Sequence, residues 1–274
     1  MSDALRRLIV LAVVAGVAAT LYYALRSEKH GTEKPVPVPA QTEPIPPQVQ
    51  PPPQSGPQPL IRFPVPAAPH EAPLPALDQS DDMVKDRLST LIGSETFQAL
   101  FVPKDIIQRV VVTVDNLPKR RLPQRYFPFH PVEGRFRVAG KEDDQVISGN
   151  NYRRYTPFVK LAEAVDTDKL VALYRYLYPL LQAAYRDLGF PHGNFNDRAI
   201  EVLDDLLDTP DVHGPIKLVQ PGVYYKFADP ALEARSAGQK ILLRMGPDNA
   251  ARVKARLRAL RDGLAHLSVP RPAP

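Results

Sequence analysis

The sequence contains no cysteine. A disulfide framework, a zinc site built on thiolates and a cysteine nucleophile are therefore excluded, and so is a lipid anchor on an N-terminal cysteine. The absence of free thiols is consistent with an oxidising compartment.

The signature motifs of common enzyme classes are also missing. There is no G-x-S-x-G elbow, no Walker glycine loop and no G-x-G-x-x-G fingerprint. The six histidines never occur two or four positions apart, so the spacing of a zinc site is absent. The sequence thus predicts no catalytic residue, no metal site and no cofactor. A cell-envelope enzyme that acts on a wall polymer through unrecognised carboxylates stays open as an alternative, with acidic pairs at Asp81-Asp82, Asp143-Asp144 and Asp204-Asp205.

A strong charge of either sign is lacking as well. The formal net charge is +5, and the part from Leu74 onward has 29 Lys and Arg against 25 Asp and Glu. This mild excess falls short of the clustered basic footprint of a nucleic-acid binder. Nucleic-acid binding is therefore only a second, disfavoured alternative.

What the sequence does have is proline, 32 residues in all, half of them between Pro35 and Pro75. Proline fixes φ and removes a backbone donor, so this stretch can form neither helix nor sheet. We expect an extended, solvated linker at 26–73 that acts as a spacer or, alternatively, as a ligand for a proline-reading groove. Within it, the apolar island Leu60–Phe63 is a candidate to dock back on the folded domain.

One long apolar run precedes the linker. The 18 residues Leu8–Leu25 carry no charge and would cover about 27 Å as a helix, enough to cross a membrane. We expect a transmembrane helix in the bacterial inner membrane, a short cytoplasmic tail at 1–7, and the remaining chain in the periplasm. The alternative is a cleaved signal peptide with its site at Val17–Ala19.

A folded, mainly helical domain is predicted at 74–267, followed by a disordered tail at 268–274. The β-branched run Val110–Val114 leaves the third helix open to a strand interpretation, although its apolar spacing is helical. Two small hairpins are predicted, one around Arg135–Val138 and Gln145–Ile147 and one around Ile216–Val219 and Val223–Phe227. The predicted helices begin at Ser80, Ser94, Pro103, Asn150 or Asn151, Asp166 or Thr167, Asn196, Asp229 and Asp248.

Basic and aromatic residues are concentrated between Lys119 and Tyr155, in a stretch too long and irregular for a plain connector. Arginine offers a planar fork for carboxylate or phosphate, and aromatic rings supply stacking surfaces. The competing interpretation is that the arginines are merely solvated and the aromatic rings belong to the core. The candidate binding residues are Arg120, Arg121, Arg125, Tyr126, Tyr152, Arg153, Arg154 and Tyr155.

Several phrases occur together in a characteristic order: LPALDQSD, VVTVDNLP, NNYRRYTP, YPLLQAAYRDLGFP, YKFADPALE and QKILLRMGPDN. In these phrases the chain resembles the bacterial family called domain of unknown function 3014, over about Leu74 to Leu264. The resemblance implies a single-span membrane protein with a proline-rich arm. It implies no activity, so no functional residue can be transferred.

Together these observations predict a membrane-anchored binding or scaffold protein of the cell envelope. Its expected partners are the inner membrane, through Leu8–Leu25, and an acidic envelope protein or anionic polymer. Its oligomeric state is left open.

Overall fold

The computed structural model describes residues 60–68, 73–131, 134–141 and 144–267. The predicted cytoplasmic tail, the predicted membrane span Leu8–Leu25, most of the linker and the predicted C-terminal tail lie outside these residues. The boundaries proposed for those segments stay predictions.

The domain opens with three helices: α1 (Asp81–Ile92), α2 (Ser94–Leu100) and α3 (Ile106–Asn116). Gly93 ends α1 with a φ of 82°, a conformation that favours glycine. The Asp81 carboxylate accepts the main-chain N–H groups of Asp105 (2.7 Å) and Ile106 (2.9 Å). An acid at the start of one helix therefore caps the start of another.

The third element is a helix, as its apolar spacing predicts. Ile107, Val111 and Val114 are buried along one face of α3. Burial of this stripe outweighs the weak helix propensity of its β-branched residues, because propensity differences are only tenths of a kcal/mol per residue.

Three longer helices follow: α4 (Gly149–Ala164), α5 (Thr167–Asp187) and α6 (Phe195–Leu207). Ser148, Asp166 and Asn194 cap them by accepting main-chain N–H groups of the first turn. The prediction that Asn196 caps α6 is wrong by two residues.

Two antiparallel hairpins lie between the helices, as predicted, although each strand has only two residues. The first pairs β1 (Val138–Ala139) with β2 (Val146–Ile147), and the second pairs β3 (Leu218–Val219) with β4 (Lys226–Phe227). The hairpins also meet each other, because the N–H of Ile147 donates to Ile216 O at 3.0 Å and a bridge joins Val146 to Lys217.

The chain ends in α7 (Pro230–Glu233), α8 (Ala237–Arg244) and α9 (Pro247–Ala265). The predicted seam of α9 is confirmed, and this helix packs against α4, α5 and α6. The seam consists of Val253, Leu257, Leu260 and Leu264, all buried.

The predicted fold class requires correction. In the described ranges, which begin at residue 60, no helix is long and apolar enough to cross a membrane. The long helices there are amphipathic; α9, for example, carries Arg252, Arg258 and Arg261 beside its apolar seam. The fold supported is a mainly helical domain with two small β-hairpins. The inner-membrane location and the periplasmic side are not tested by these residues and stay predictions.

Part of the proline-rich stretch is docked on the domain. We call residues Leu60–Ala68 the strap; it lies against α5 and α6. The main-chain N–H of Phe63 donates to Asp197 Oδ1 at 2.8 Å, and its side chain packs on the main hydrophobic core. The apolar island thus docks as the sequence indicates, and the picture of a disordered linker over 26–73 does not hold for the strap.

A candidate binding surface on the basic loop

The loop that follows α3 presents half of the predicted binding residues. We call Lys119–Tyr126 the basic loop. Leu122 within it is buried, and so is Phe127 directly after it. The guanidinium of Arg109 on α3 donates to the carbonyls of Arg125 (2.8 Å) and Phe127 (3.2 Å). The loop is therefore held to the helix rather than left free in solvent.

The chain leaving the basic loop is fixed by a short bridge to the end of α2. Phe129 pairs with Phe101, and their rings lie 4.3 Å apart. The N–H of Val102 donates to Pro128 O (2.9 Å), and that of His130 donates to Leu100 O (2.7 Å). The prolines and aromatic rings of this segment thus serve as anchors in the core.

The start of the basic loop is fixed to α8. The carbonyl of Lys119 accepts the N–H of Ala237 at 2.8 Å, at the first residue of that helix. The Lys119 ammonium pairs with the buried Asp115 carboxylate at 2.8 Å, and Arg198 contacts the same carboxylate at 3.1 Å. The Lys119 ammonium group therefore already forms an ion pair within the domain.

The remaining basic residues of the loop point outward. Arg120, Arg121 and Arg125 are exposed, and the Tyr126 side chain is 38% exposed. The Arg125 guanidinium lies 4.7 Å from the centre of the Tyr126 ring, a cation–π distance. None of the carboxylates that the structure describes forms an ion pair with these three arginines.

The other four predicted residues lie in the first turns of α4, and only one of them is fully exposed. Arg153 is exposed and donates to Asn150. Arg154 is half-buried and donates to the carbonyl of Gly134 at 2.7 Å. Tyr155 is only 1% exposed, so the structure places it in the core, where a partner cannot reach it.

The Tyr152 side chain also packs inside the domain, against Gly246. Its ring lies over Gly246, where a Cβ would come within 2.6 Å of the ring and φ is +84°. Burial raises the pKa of the Tyr152 phenol above its ordinary value. Because Gly246 has no Cβ, the backbone can adopt this positive φ and the Tyr152 ring can lie directly against it.

The two groups of predicted residues are attached at opposite ends of α8. The basic loop contacts Ala237, the first residue of α8, whereas Tyr152 covers Gly246, two residues after α8 ends. A helix of eight residues is about 12 Å long, so these two contacts are separated by at least that length of helix. The basic loop, with Arg120, Arg121, Arg125 and Tyr126, is the part that stays accessible.

Three carboxylates of the acidic pairs considered for an enzyme make contacts within the fold. Asp81 caps α3, Asp204 pairs with Arg261 at 2.9 Å, and Asp205 accepts the Ser236 hydroxyl at 2.7 Å. Burial raises the pKa of Asp205 despite this hydrogen bond. In the described part of the chain no three His, Asp or Glu side chains gather as a metal site.

A cavity of about 90 Å³ lies in the core among α1, α3, α5, α6 and α9. Its lining is apolar apart from the hydroxyl of Tyr174, which donates to Asn196 Oδ1 at 3.0 Å. It is smaller than the roughly 150 Å³ cavity known to admit benzene.

Comparison with known proteins identifies the family. Residues 106–261 match the model described as "Protein of unknown function (DUF3014)". The chain belongs to this family. The DUF3014 region contains the basic loop, α4 and the helices beneath the strap, while the strap and α1 precede it. No curated protein matches the chain, and no solved structure does.

Sequence reasoning missed the residues that hold the strap. Four described side chains of α5 and α6 form hydrogen bonds or ion pairs with it, but their spacing carries no recognised motif. The only signal was the apolar island within the proline-rich stretch. The contacting residues are Arg175, Asn196, Asp197 and Glu201.

Proposed function

We propose that this DUF3014 protein is a binding module whose basic loop holds an acidic segment of another protein. The observation that carries the proposal is the outward display of Arg120, Arg121 and Arg125 beside Tyr126, with no described carboxylate paired to the arginines.

The way the loop is held supports this role. Arg109 fixes the main chain at Arg125 and Phe127, and the N–H of Ala237 fixes it at Lys119. A loop that is already ordered loses little conformational entropy when a partner binds. Guanidinium groups also match carboxylates in a two-pronged geometry that lysine cannot offer.

The charge balance favours an acidic protein segment over a long polyanion. The net charge of +5 is mild, whereas binding to a polyanion is driven by many simultaneous cation contacts. Each exposed ion pair contributes only about 0–1 kcal/mol, so the arginines must act together.

The test compares two triple variants of the full chain. R120E/R121E/R125E reverses the charge of the three arginines of the basic loop. K160E/K226E/R258E reverses the charge of three exposed cations elsewhere on the domain. Binding of a fluorescent decaglutamate peptide is followed by anisotropy at low and moderate salt. We expect the loop variant to lose binding at least tenfold and the control variant to stay within about twofold of the wild type.

Two outcomes would refute the proposal. An equal loss in both variants would mean that net charge, not the loop, attracts the peptide. Tight binding of polyphosphate with no binding of the peptide would favour the polymer as the ligand. A photo-crosslinking residue in place of Tyr126 then identifies the natural partner in cells, with the same residue at Phe190 as an exposed control.

A further inference from the structure

The strap is bound mainly through its backbone. The Asp197 carboxylate accepts two successive main-chain N–H groups, from Arg62 at 2.9 Å and from Phe63 at 2.8 Å. The side-chain amide of Asn196 donates to Phe63 O at 2.9 Å. Farther along, the Arg175 guanidinium donates to Ala67 O at 2.9 Å. Contacts to the backbone can be made by any extended segment, whatever its side chains.

Two side chains of the strap add selectivity. The Arg62 guanidinium lies 2.6 Å from Glu201 Oε1 and 3.9 Å from Asp197 Oδ2. The Phe63 ring packs on the main core. A basic residue followed by an aromatic residue is thus what the helices recognise here.

The prolines of the strap fit the same surface. Pro64 and Pro66 have no N–H to donate, and the hydrogen bonds from α5 and α6 to the strap beyond Phe63 use a carbonyl, that of Ala67. Proline also keeps the segment extended before it binds, which lowers the entropy cost of docking. The surface therefore suits an extended, proline-containing peptide.

The receiving residues are also held by contacts within the helices. Asn196 is 0% exposed, its Oδ1 accepts the Tyr174 hydroxyl, and its amide also donates to Leu264 O at 3.3 Å. The N–H of Asp197 donates to Asn194 Oδ1 at 3.1 Å, which fixes the first turn of α6. These contacts lie within α5, α6 and α9 and do not involve the strap.

The strap itself is only partly engaged. Leu60 is 87% exposed and Ile61 is 53% exposed, so two of its apolar residues contribute little to docking. The start of the strap is therefore held less firmly than Arg62 and Phe63.

We propose that the face of α5 and α6 under the strap is a peptide-binding groove for an extended segment with the pattern basic residue, aromatic residue, proline. The strap occupies it within the chain, and a segment of the same pattern in a partner protein replaces the strap. This proposal is independent of the basic loop.

The test uses the full chain with a protease recognition sequence inserted between Ala68 and Pro73, so that the strap is cut after the protein has folded. A fluorescent peptide of residues 60–68 is then added and followed by anisotropy. We expect the cut protein to bind it at least tenfold more tightly than the uncut protein. A matched peptide with the R62E and F63A changes should bind at least tenfold more weakly.

A second variant avoids the cut. R62E/F63A in the intact chain should vacate the groove and allow the wild-type peptide to bind, and adding D197A should abolish that binding. Thermal unfolding verifies that each variant is folded. The groove is refuted if neither the cut protein nor the R62E/F63A variant binds the peptide, or if the uncut wild type binds it equally well.

Discussion

At the scale of single residues, buried asparagines join segments that are far apart in the chain. The Asn151 side chain accepts the N–H of Arg137 at 3.0 Å and donates to Ser148 O at 3.1 Å, joining the first hairpin to α4. The Asn249 amide donates to Tyr152 O at 2.8 Å, joining α9 to α4. A buried amide can be stable only when its donors and acceptors are satisfied, so each of these side chains fixes a connection.

Tyr155 tests whether the aromatic residues of α4 are core or surface. Because its side chain is almost wholly buried, Tyr155→Ala removes a large apolar volume and should destabilise the fold by about 3–5 kcal/mol. Urea denaturation measures the change. Lys160→Ala, an exposed site on the same helix, should stay within about 0.5 kcal/mol. A near-neutral Tyr155→Ala would return this residue to the binding surface.

At the scale of elements, α9 holds the domain together by pairing with neighbours on several sides. Arg256 donates to the carbonyls of Ala162 and Val165 at the end of α4. Arg252 donates from two nitrogens to the Glu163 carboxylate, with Nε 2.6 Å from Oε1. Two arginines one turn apart thus fasten α9 to the C-terminal end of α4.

The Glu163–Arg252 pair predicts a pH dependence. The hydrogen bond from Arg252 lowers the pKa of Glu163 below its ordinary value of 4.5. Its stabilising contribution is therefore full above that ordinary value and is lost as the pH falls through the lower folded pKa. Both side chains are more than a third exposed, so the contribution is at most about 1 kcal/mol.

We expect the wild type to exceed Glu163→Gln in unfolding free energy by up to about 1 kcal/mol at neutral pH, and by nothing once Glu163 is protonated in both states. Urea titrations at neutral pH and near pH 2 measure the difference. A difference that grew on acidification would contradict the assigned direction of the pKa shift.

At the scale of the whole molecule, the apolar interior has two main parts. The larger cluster spans the helices, and a smaller one lies under the hairpins. The buried residues of the smaller cluster are Ile147, Ile216, Leu218, Phe227 and Leu243. With so few members, the hairpin cluster buries much less apolar area and should open first.

Hydrogen exchange measures this order. The N–H of Ile147 and that of Leu218 bond across the two hairpins, at 3.0 Å and 2.7 Å, and should exchange faster than the amides at the centre of α5. Equal protection would mean that the hairpins and the helices unfold as one unit.

Much of the helical layout could be predicted from local signals. The apolar spacing of α3 and α9, the stop at Gly93, and the Asp229–Pro230 start of α7 each act within a turn or two. Such signals are readable because neighbouring residues determine caps and amphipathic stripes. Local sequence likewise indicated both hairpins.

Helix α8 was missed for a physical reason. The helix has only eight residues, about two turns, which is too short for a clear helical period to be read from the sequence. Its position depends on contacts from Leu117 and Lys119, far away in the chain. Only the tertiary structure contains that information.

The sequence alone determined that the chain lacks thiol chemistry, where most helices begin and end, and which arginines and tyrosines are concentrated together. Only the tertiary structure decided that Tyr155 is buried while Tyr126 is accessible, and that Asn196 and Asp197 receive the strap. Composition specifies which groups exist, but exposure and pairing depend on residues brought together across more than a hundred positions.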